Sequence, residues 1–382
     1  MSRAARDLEI AQSIVPDFHR RLKYALKHPS ILGDRVDVDL FGRVCEFPDL
    51  ATLADPITGL TPLMLSVSSP AYTKFFLENG APWNAVCRRN KCAGNYASDG
   101  GHQEVVDILV DHATKCEMLL SQAILNNDKK TPVPSVVDTK EETDVSAQKC
   151  TKKDYLSRSV KYDGEKLLDG DNDAVMMEWE RPLMAEHAKI ICQGKKRVLN
   201  VGFGMGIIDS ILQTHTPAHH TIIEAHPDVY AKMKKDGWLS KPNVTVLFGR
   251  WQDVIGSIPA GSLDGAFFDT YAENHTDLSE FHRHLPRILA RGGVYSFFNG
   301  LCPDNIFFHG VACQVVKLEL EALEFEVEFA QCQIQVKDEA WEGVRRKYWH
   351  FDFYYIPICV LKSEGEKGEA KEGQGAAKKQ RK

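Results

Sequence analysis

A glycine-rich loop after an apolar segment is the feature that most constrains the fold of this chain. Residues 198–206 read V-L-N-V-G-F-G-M-G, and Glu224 stands at the end of the next apolar segment. Glycines after a buried strand let the backbone pass close to a ligand, and a carboxylate at the tip of the next strand can accept hydrogen bonds from both ribose hydroxyls. The pattern predicts a strand, a loop and a helix that hold a nucleotide-type cofactor, and therefore an enzyme.

The spacing of the glycines favours one class of cofactor. Gly202, Gly204 and Gly206 alternate as G-x-G-x-G, whereas a dinucleotide loop has G-x-G-x-x-G because a pyrophosphate sits on the helix N-terminus. The looser turn suits a ligand without phosphates, such as S-adenosylmethionine. Since ordinary tight turns also use glycine, a nicotinamide dehydrogenase stays as the least favoured alternative.

Apolar segments alternate with amphipathic ones over the next hundred residues. The predicted strands are 197–201, 221–225, 244–248, 263–268 and 293–298, and the predicted helices begin near 206 and cover 227–236 and 278–290. Strands separated by helices build a parallel doubly wound sheet. Residues 325–329 and 351–356 are then predicted to pair as an antiparallel hairpin. The fold class that follows is α/β, with the Rossmann-like sheet and terminal hairpin typical of S-adenosylmethionine-dependent methyltransferases.

The first third of the chain contains two similar helical units. Residues 59–64 open one unit, residues 101–110 repeat its second half, and Gly80 and Ala113 stand 33 residues apart in matching places. The period and the Thr-Pro-Leu helix start resemble ankyrin repeats, whose helix pairs stack around a shared core. We predict an α-helical ankyrin-like domain that precedes the sheet; a helical domain unrelated to ankyrin is the alternative.

Composition sets the remaining domain bounds. Residues 127–153 are polar and rich in Pro, Ser and Thr, as an interdomain linker should be, so the ankyrin-like domain is predicted over 1–126 and the methyltransferase domain over 154–362. Residues 363–382 contain Ala as their only apolar type. Such a segment cannot bury a core, which predicts a disordered tail.

Charge, cysteines and histidines limit the compartment and the partners. The net charge of -6 argues against a general nucleic-acid coat, and the 10 cysteines include no Cys-x-x-Cys pair, which favours reduced thiols. No apolar run reaches membrane-spanning length. We expect a cytoplasmic and nuclear protein with neither a membrane nor a nucleic acid as direct partner. His219-His220 and His282-x-His284 lack a third ligand at usable spacing, so no metal is expected.

Polar and aromatic residues stand at successive strand ends. Glu224, the pair Trp251 and Gln252, and Asp269 each follow a predicted strand, and in a doubly wound sheet these ends face one crevice. We predict that these residues share one pocket. The alternatives are that Glu224 is a solvated strand-end carboxylate and that Trp251 is a core aromatic.

Two motifs point to a family. Residues 175–184 read V-M-M-E-W-E-R-P-L-M, and residues 269–271 read D-T-Y. Together with V-G-F-G-M and a W-x-D-V element, they resemble guanidinoacetate methyltransferases over about 155–360. The ankyrin-like front and L-N-V-G-F-G-M-G-I-I-D look most like the fungal ankyrin-repeat arginine N5-methyltransferases, also called type IV protein arginine methyltransferases. The resemblance implies S-adenosylmethionine-dependent methylation of the delta (N5) nitrogen of a protein arginine, with a ribosomal protein as substrate and the ankyrin-like domain as a protein-binding surface.

The resemblance also implies residue roles. Glu180 and Asp269 are the predicted catalytic pair, because two carboxylates can hold a guanidinium while one of them accepts a proton. The residues implied to bind the cofactor are Tyr155, Met184, Phe203, Gly204, Met205, Gly206, Ile207, Ile208, Glu224, Ala225, His226, Trp251, Gln252 and Asp269. Tyr155 is either a lid or an ordinary exposed aromatic. Asn200 departs from the acidic residue of the guanidinoacetate enzymes; its carbonyl can orient the cofactor's ammonium, but without charge.

Two alternatives of different classes stay open. One is a small-molecule guanidino methyltransferase with an added domain, and the other is an inactive cofactor-binding ankyrin scaffold. Residues 299–303 differ from the guanidinoacetate enzymes where the substrate carboxylate should be recognised, which favours a protein arginine. The presence of both Glu180 and Asp269 speaks against the scaffold.

Overall fold

The computed structural model describes residues 15–27, 48–127, 152–193, 196–271 and 275–363. These residues form two compact units. One contains the described residues of 1–144 together with 300–316 and 349–351, and the other contains those of 145–299, 317–348 and 352–382. Most of the predicted linker and nearly all of the predicted tail lie outside the described residues. Within the described ranges, no helix combines the length and apolarity that crossing a membrane requires.

The secondary structure is numbered in chain order. The helices α1 to α13 are Val15–Lys27, Pro62–Leu65, Pro70–Glu78, Ala93–Asp99, Gln103–Asn127, Lys152–Ser157, Arg181–Ile191, Ile207–Thr214, Pro227–Lys235, Trp251–Val254, His275–His282, Leu285–Ile288 and Ile306–Glu321. The strands β1 to β10 are Lys161–Asp163, Lys166–Leu168, Ala174–Met177, Arg197–Val201, His219–Glu224, Val244–Phe248, Leu263–Phe268, Leu289–Phe297, Phe325–Gln333 and Phe353–Leu361.

The first unit is helical. Its pairs α2/α3 and α4/α5 have second helices that begin 33 residues apart, at Pro70 and Gln103. The first pair starts at a capped position, because the Thr61 hydroxyl accepts a hydrogen bond from the Met64 N–H at 3.3 Å and Pro62 fits the first helical turn, where no N–H is needed. Phe18 and Leu22 of α1 are fully buried in the core of this unit.

The start of α13 belongs to the same helical core. Phe307, Val311 and Val315 are buried there, and a Cβ on Gly94 would lie 1.9 Å from the Phe307 ring. The glycine therefore lets α4 and the Phe307 ring approach closely. No sequence pattern predicted that residues beyond the sheet's fifth strand complete this core.

The second unit is built on a seven-stranded mixed sheet. Its order is β6-β5-β4-β7-β8-β10-β9, in which β4 to β8 are parallel and β10 runs antiparallel to both β8 and β9. Central strands such as β4 consist almost entirely of buried residues, as parallel strands covered on both faces must. The predicted Rossmann-like α/β sheet with a terminal antiparallel pair is confirmed. A small antiparallel sheet, β1-β2-β3, precedes it.

One predicted helix is wrong. The segment 278–290 contains two short helices, α11 and α12, and β8 already begins at Leu289 instead of 293. Pro286 lies in the first turn of α12. Because proline has no N–H and its ring clashes with the preceding turn, one continuous helix across this position is unfavourable.

Candidate active site

A cavity of about 250 Å³ opens at the carboxyl ends of β4, β5 and β7. Residues from the loops after these strands line it, as do residues from α6 and β3. The predicted site residues in its wall are Tyr155, Glu180, Gly204, Glu224, Ala225, Trp251, Gln252 and Asp269. The strand ends therefore converge on one crevice, as the doubly wound topology requires.

The glycine loop passes against neighbouring backbone. Gly202, Gly204 and Gly206 have φ of 94°, 54° and 72°, in the left-handed region that side chains disfavour. A Cβ on Gly202 would lie 1.9 Å from the Asp269 carbonyl oxygen, and one on Gly204 would lie 3.0 Å from Met176 Sδ. The glycines thus let the loop after β4 pack directly against the backbone at the end of β7 and against Met176.

Several residues predicted to bind the cofactor support the loop from outside the cavity wall. Met184, Phe203, Ile207 and Ile208 are buried in the core beneath the loop, where the Phe203 ring meets Trp238 edge to face. Three other predicted residues are positioned through main-chain atoms. The Met205 N–H lies 3.3 Å from Met176 Sδ, Gly206 precedes α8, and the His226 ring contacts the carbonyls of Tyr155 and Arg158 at 3.1 and 2.9 Å. Their predicted roles stay predictions.

Glu224 is a buried carboxylate rather than a solvated one. It is 6% exposed, and its two oxygens accept hydrogen bonds from the N–H groups of Phe203 at 2.9 Å and His226 at 2.6 Å. Burial raises the pKa of Glu224, an effect that these backbone hydrogen bonds oppose. Glu224 also lies in the cavity wall, where a carboxylate suits a ligand's vicinal hydroxyl groups.

Two further side chains of the wall are aromatic. Trp251 is buried and contacts the rings of Phe268 and Phe281 at 6.0 and 5.3 Å, so it is at once a core aromatic and part of the cavity wall. The ring of Tyr155 is half-buried between those of His226 and Tyr271, at 4.8 and 4.7 Å. Tyr155 is therefore packed into the site rather than exposed on its helix.

Glu180 and Asp269 are two further acidic residues of the cavity wall. Glu180 is buried, and its Oε1 accepts hydrogen bonds from the Met177 N–H at 3.0 Å and from the Tyr348 hydroxyl. Asp269 as a residue is half-buried, but its Oδ2 is sealed from solvent and has no hydrogen-bond partner among the described residues.

The two carboxyls have raised pKa values. Burial, followed by the charge of Asp269, raises the pKa of Glu180, and burial, followed by the charge of Asp209, raises that of Asp269. Carboxyls in such surroundings resist ionisation until a cation arrives. The pair is therefore suited to bind a positively charged group.

Sequence reasoning missed two residues of this site. Tyr348 holds Glu180 from a position 168 residues away, and the Tyr271 hydroxyl donates to Asp169 at 2.9 Å. Tyr271 lies within the D-T-Y motif already noted, which was a usable signal, whereas no local pattern marks Tyr348. Met176, expected from the sequence to pack in the pocket, packs against the glycine loop.

Known proteins are similar in sequence to this chain, both at the motifs described above and over most of its length. The family model of guanidinoacetate N-methyltransferase matches residues 146–308. Protein arginine N-methyltransferase 2 of Aspergillus oryzae is 34% identical over 319 residues, which cover 76% of this chain and 77% of that protein. The chain belongs to the protein arginine N-methyltransferase 2 family. The family member of Saccharomyces cerevisiae is 30% identical, with 73% of this chain and 75% of that protein covered. Among solved structures, the O-methyltransferase TomG of Streptomyces achromogenes in complex with SAM is similar, with 14% identity, a TM-score of 0.34, and 49% of this chain and 82% of that chain covered.

Membership of the methyltransferase 2 family makes the chain an arginine methyltransferase with S-adenosylmethionine as cofactor, as predicted. The site fits this cofactor. The cavity wall contains the carboxylate residues Glu224 and Asp269 beside the backbone of Gly202 and Gly204, so it offers acceptors for a ribose diol and for a cationic group. Within the described ranges, no group of three or more His, Cys, Asp or Glu side chains is placed to hold a metal ion.

Proposed function

We propose that this chain methylates the delta (N5) nitrogen of an arginine in a protein substrate, a ribosomal protein, with Glu180 and Asp269 as the catalytic pair. The observation that carries the proposal is the placement of these two carboxyls together in the wall of the cofactor cavity. Two ionised carboxylates balance the charges of one guanidinium and one sulfonium, so each cation favours ionisation of the pair.

The hydrogen bonds divide the work between the two carboxyls. Glu180 is fixed by two donors, so it orients the guanidinium by accepting from its N–H groups. Asp269, whose Oδ2 has no protein donor among the described residues, takes the proton of the reacting nitrogen as the nitrogen–carbon bond forms. When bound, the cofactor supplies a sulfonium methyl whose bonding electrons return to sulfur. The products are a methylguanidinium, a neutral thioether and a protonated carboxyl.

The choice of the delta nitrogen is supported by the guanidinoacetate N-methyltransferase match over 146–308. Guanidinoacetate and delta-N methylation both modify the internal guanidine nitrogen, the one bonded to a carbon of the chain. One arrangement serves both when the carboxylates hold the terminal nitrogens and leave the internal one facing the methyl group.

The helical unit provides the surface for a protein substrate. We propose that α2/α3 and α4/α5 are ankyrin-type repeats, on the strength of their 33-residue offset and the Thr61 cap. Stacked helix pairs present extended surfaces that bind proteins. A ribosomal substrate accords with the expected cytoplasmic and nuclear location.

The test is transfer of labelled methyl groups into protein from cells that lack this activity, with guanidinoacetate in parallel. Fragment-ion mass spectrometry then places the methyl group on the delta or a terminal nitrogen. Delta-methylarginine in a ribosomal protein supports the proposal. Terminal methylation, label in guanidinoacetate alone, or no transfer by a chain that binds S-adenosylhomocysteine would each refute it, the last in favour of a scaffold.

A further inference from the structure

A short acidic turn joins β2 to β3 and leads into the wall of the active-site cavity. Residues 169–173 read D-G-D-N-D, and the residues that follow, 174–176, line the cavity. Asp169 is 5% exposed, and its Oδ1 accepts hydrogen bonds from the N–H groups of Asp171 and Asp173 at 2.8 and 2.9 Å. The turn is therefore built around one buried carboxylate, which fixes the position of Asp173.

The carboxylate of Asp173 holds a segment that is distant in the sequence. Residues 338–348, which we call the strap, contain Arg345 and Arg346, and both arginines form ion pairs with Asp173. The Arg345 N–H also donates to the Asn172 carbonyl at 2.8 Å. Since the Asp173 side chain is only 13% exposed, solvent and salt screen these ion pairs less than pairs on an open surface. The strap is thereby fastened to the acidic turn.

The strap carries Tyr348 to the cavity. The Tyr348 hydroxyl donates to Glu180 Oε1, and both residues line the cavity. Trp341 and Tyr348 pack against Trp179, with ring centroids 6.0 and 5.7 Å away. Aromatic rings attract each other over centroid distances of about 4.5–7 Å, whereas an O–H···O hydrogen bond requires about 2.5–3.0 Å. Ring packing therefore brings the strap close to Glu180, and a further restraint is needed to fix the hydroxyl.

We propose that Asp173 is a positioning residue that keeps the Tyr348 hydroxyl on the Glu180 carboxylate. It acts through Arg345 and Arg346, which attach the strap to the acidic turn. Asp173 is not part of the cavity wall, so its effect on the reaction passes through the strap alone. The inference rests on the proposed role of Glu180 in orienting the guanidinium.

The charge of Asp173 does not change over the pH range of an activity assay. Burial acts to raise the pKa of Asp173, but the hydrogen bonds and charges of Arg345 and Arg346 outweigh burial and hold it at about 2. In Asp173→Asn, any direct effect of the lost negative charge would lower the pKa of Glu180. Displacement of the Tyr348 hydroxyl acts in the opposite direction, because burial raises the pKa of Glu180 and this hydroxyl opposes the rise. The direction of the change therefore separates positioning from direct electrostatics.

The first test is the pH profile of kcat/KM for methyl transfer. We expect Asp173→Asn to move the acid limb to higher pH by about one unit, as for a weakened hydrogen bond to a charged group. Combined with Tyr348→Phe it should add nothing, because the hydroxyl that it positions is already gone. Asp171→Asn is the matched control. It removes the same charge from the same turn, but Asp171 pairs with Arg158 at 2.6 Å and not with the strap, so the limb should stay in place.

The second test requires no turnover. Amide hydrogen exchange reports local opening of the backbone, and it should become faster within residues 341–348 in Asp173→Asn but not in Asp171→Asn. The double variant Arg345→Gln with Arg346→Gln removes the same ion pairs from the strap. It should reproduce both the faster exchange and the shifted limb, and it keeps both tests available where Asp173→Asn does not fold.

Three results would overturn the inference. The acid limb of Asp173→Asn could stay in place or move to lower pH while Tyr348→Phe moves it to higher pH. The shifts of the two variants could add in the combined variant. Exchange within the strap could be unchanged when its ion pairs are removed from either side. A limb that Tyr348→Phe leaves in place would instead count against the proposed role of Glu180, and exchange within the strap would then decide whether Asp173 positions it.

Discussion

Removal of the Tyr348 hydroxyl tests how the structure controls the catalytic pair. In Tyr348→Phe, Glu180 Oε1 keeps the Met177 N–H and loses the hydroxyl donor. A hydrogen bond to a charged group contributes about 1.5–3 kcal/mol, and 1.36 kcal/mol corresponds to one pKa unit. Since the hydroxyl opposes the rise in the pKa of Glu180, its loss should raise that pKa by a further ~1–2 units.

The assay is the pH profile of kcat/KM. Activity requires the ionised pair, so the acid limb should move to higher pH in Tyr348→Phe, while activity well above the limb stays comparable. Tyr162→Phe is the matched control, because the Tyr162 hydroxyl donates to the Gly204 carbonyl at 2.9 Å and not to a carboxylate. An acid limb that stays in place in Tyr348→Phe, or one that moves equally in both variants, would refute the reasoning.

Three other variants test the loop, the pair and the helical core. Gly202→Ala places a Cβ 1.9 Å from the Asp269 carbonyl oxygen at a φ of 94°. We expect the unfolding free energy to fall by about 1–3 kcal/mol or more and S-adenosylhomocysteine to bind more weakly. Unchanged affinity for this ligand would contradict the expectation. The raised pKa of Glu180 stabilises the ligand-free chain fully below the ordinary carboxyl pKa and less as the pH rises through the raised value. Glu180→Gln should therefore reduce the fall in unfolding free energy between acidic and alkaline pH, measured by urea unfolding. An identical pH dependence in the variant and in the wild type would disprove the reasoning. Phe307→Ala should cost about 3–5 kcal/mol in thermal or urea unfolding, since Phe307 is 5% exposed, and a loss typical of a surface site would show that its packing is unimportant.

The sequence predicted the sheet better than the site. Strands β4, β6 and β7 have the predicted bounds, because each is an apolar run that ends at a glycine, a charged residue or a turn. These apolar patterns depend only on residues that are close in the sequence. The contact between Glu180 and Tyr348 depends on where two distant segments meet in the fold, so no local sequence pattern predicts it.

The glycine loop shows the same distinction. The glycine spacing predicted its open backbone, and the φ angles of Gly202, Gly204 and Gly206 agree. Whether a neighbouring side chain faces the cavity or the core depends on the turn between β4 and α8, which no local pattern describes. The side chains of Phe203 and Ile207 pack into the core, and their predicted contacts with the cofactor stay predictions.

The position of α13 has a consequence for synthesis of the chain. The core formed by the early helices includes Phe307, Val311 and Val315, which leave the ribosome about two hundred residues after Gly94. Domains commonly fold in order from the N-terminus as they are synthesised, but this one must wait until five of the seven strands of the large sheet have been translated. Until then its first helices expose the surface that Phe307 will cover, and a nascent chain released early would carry an unfinished, aggregation-prone front half.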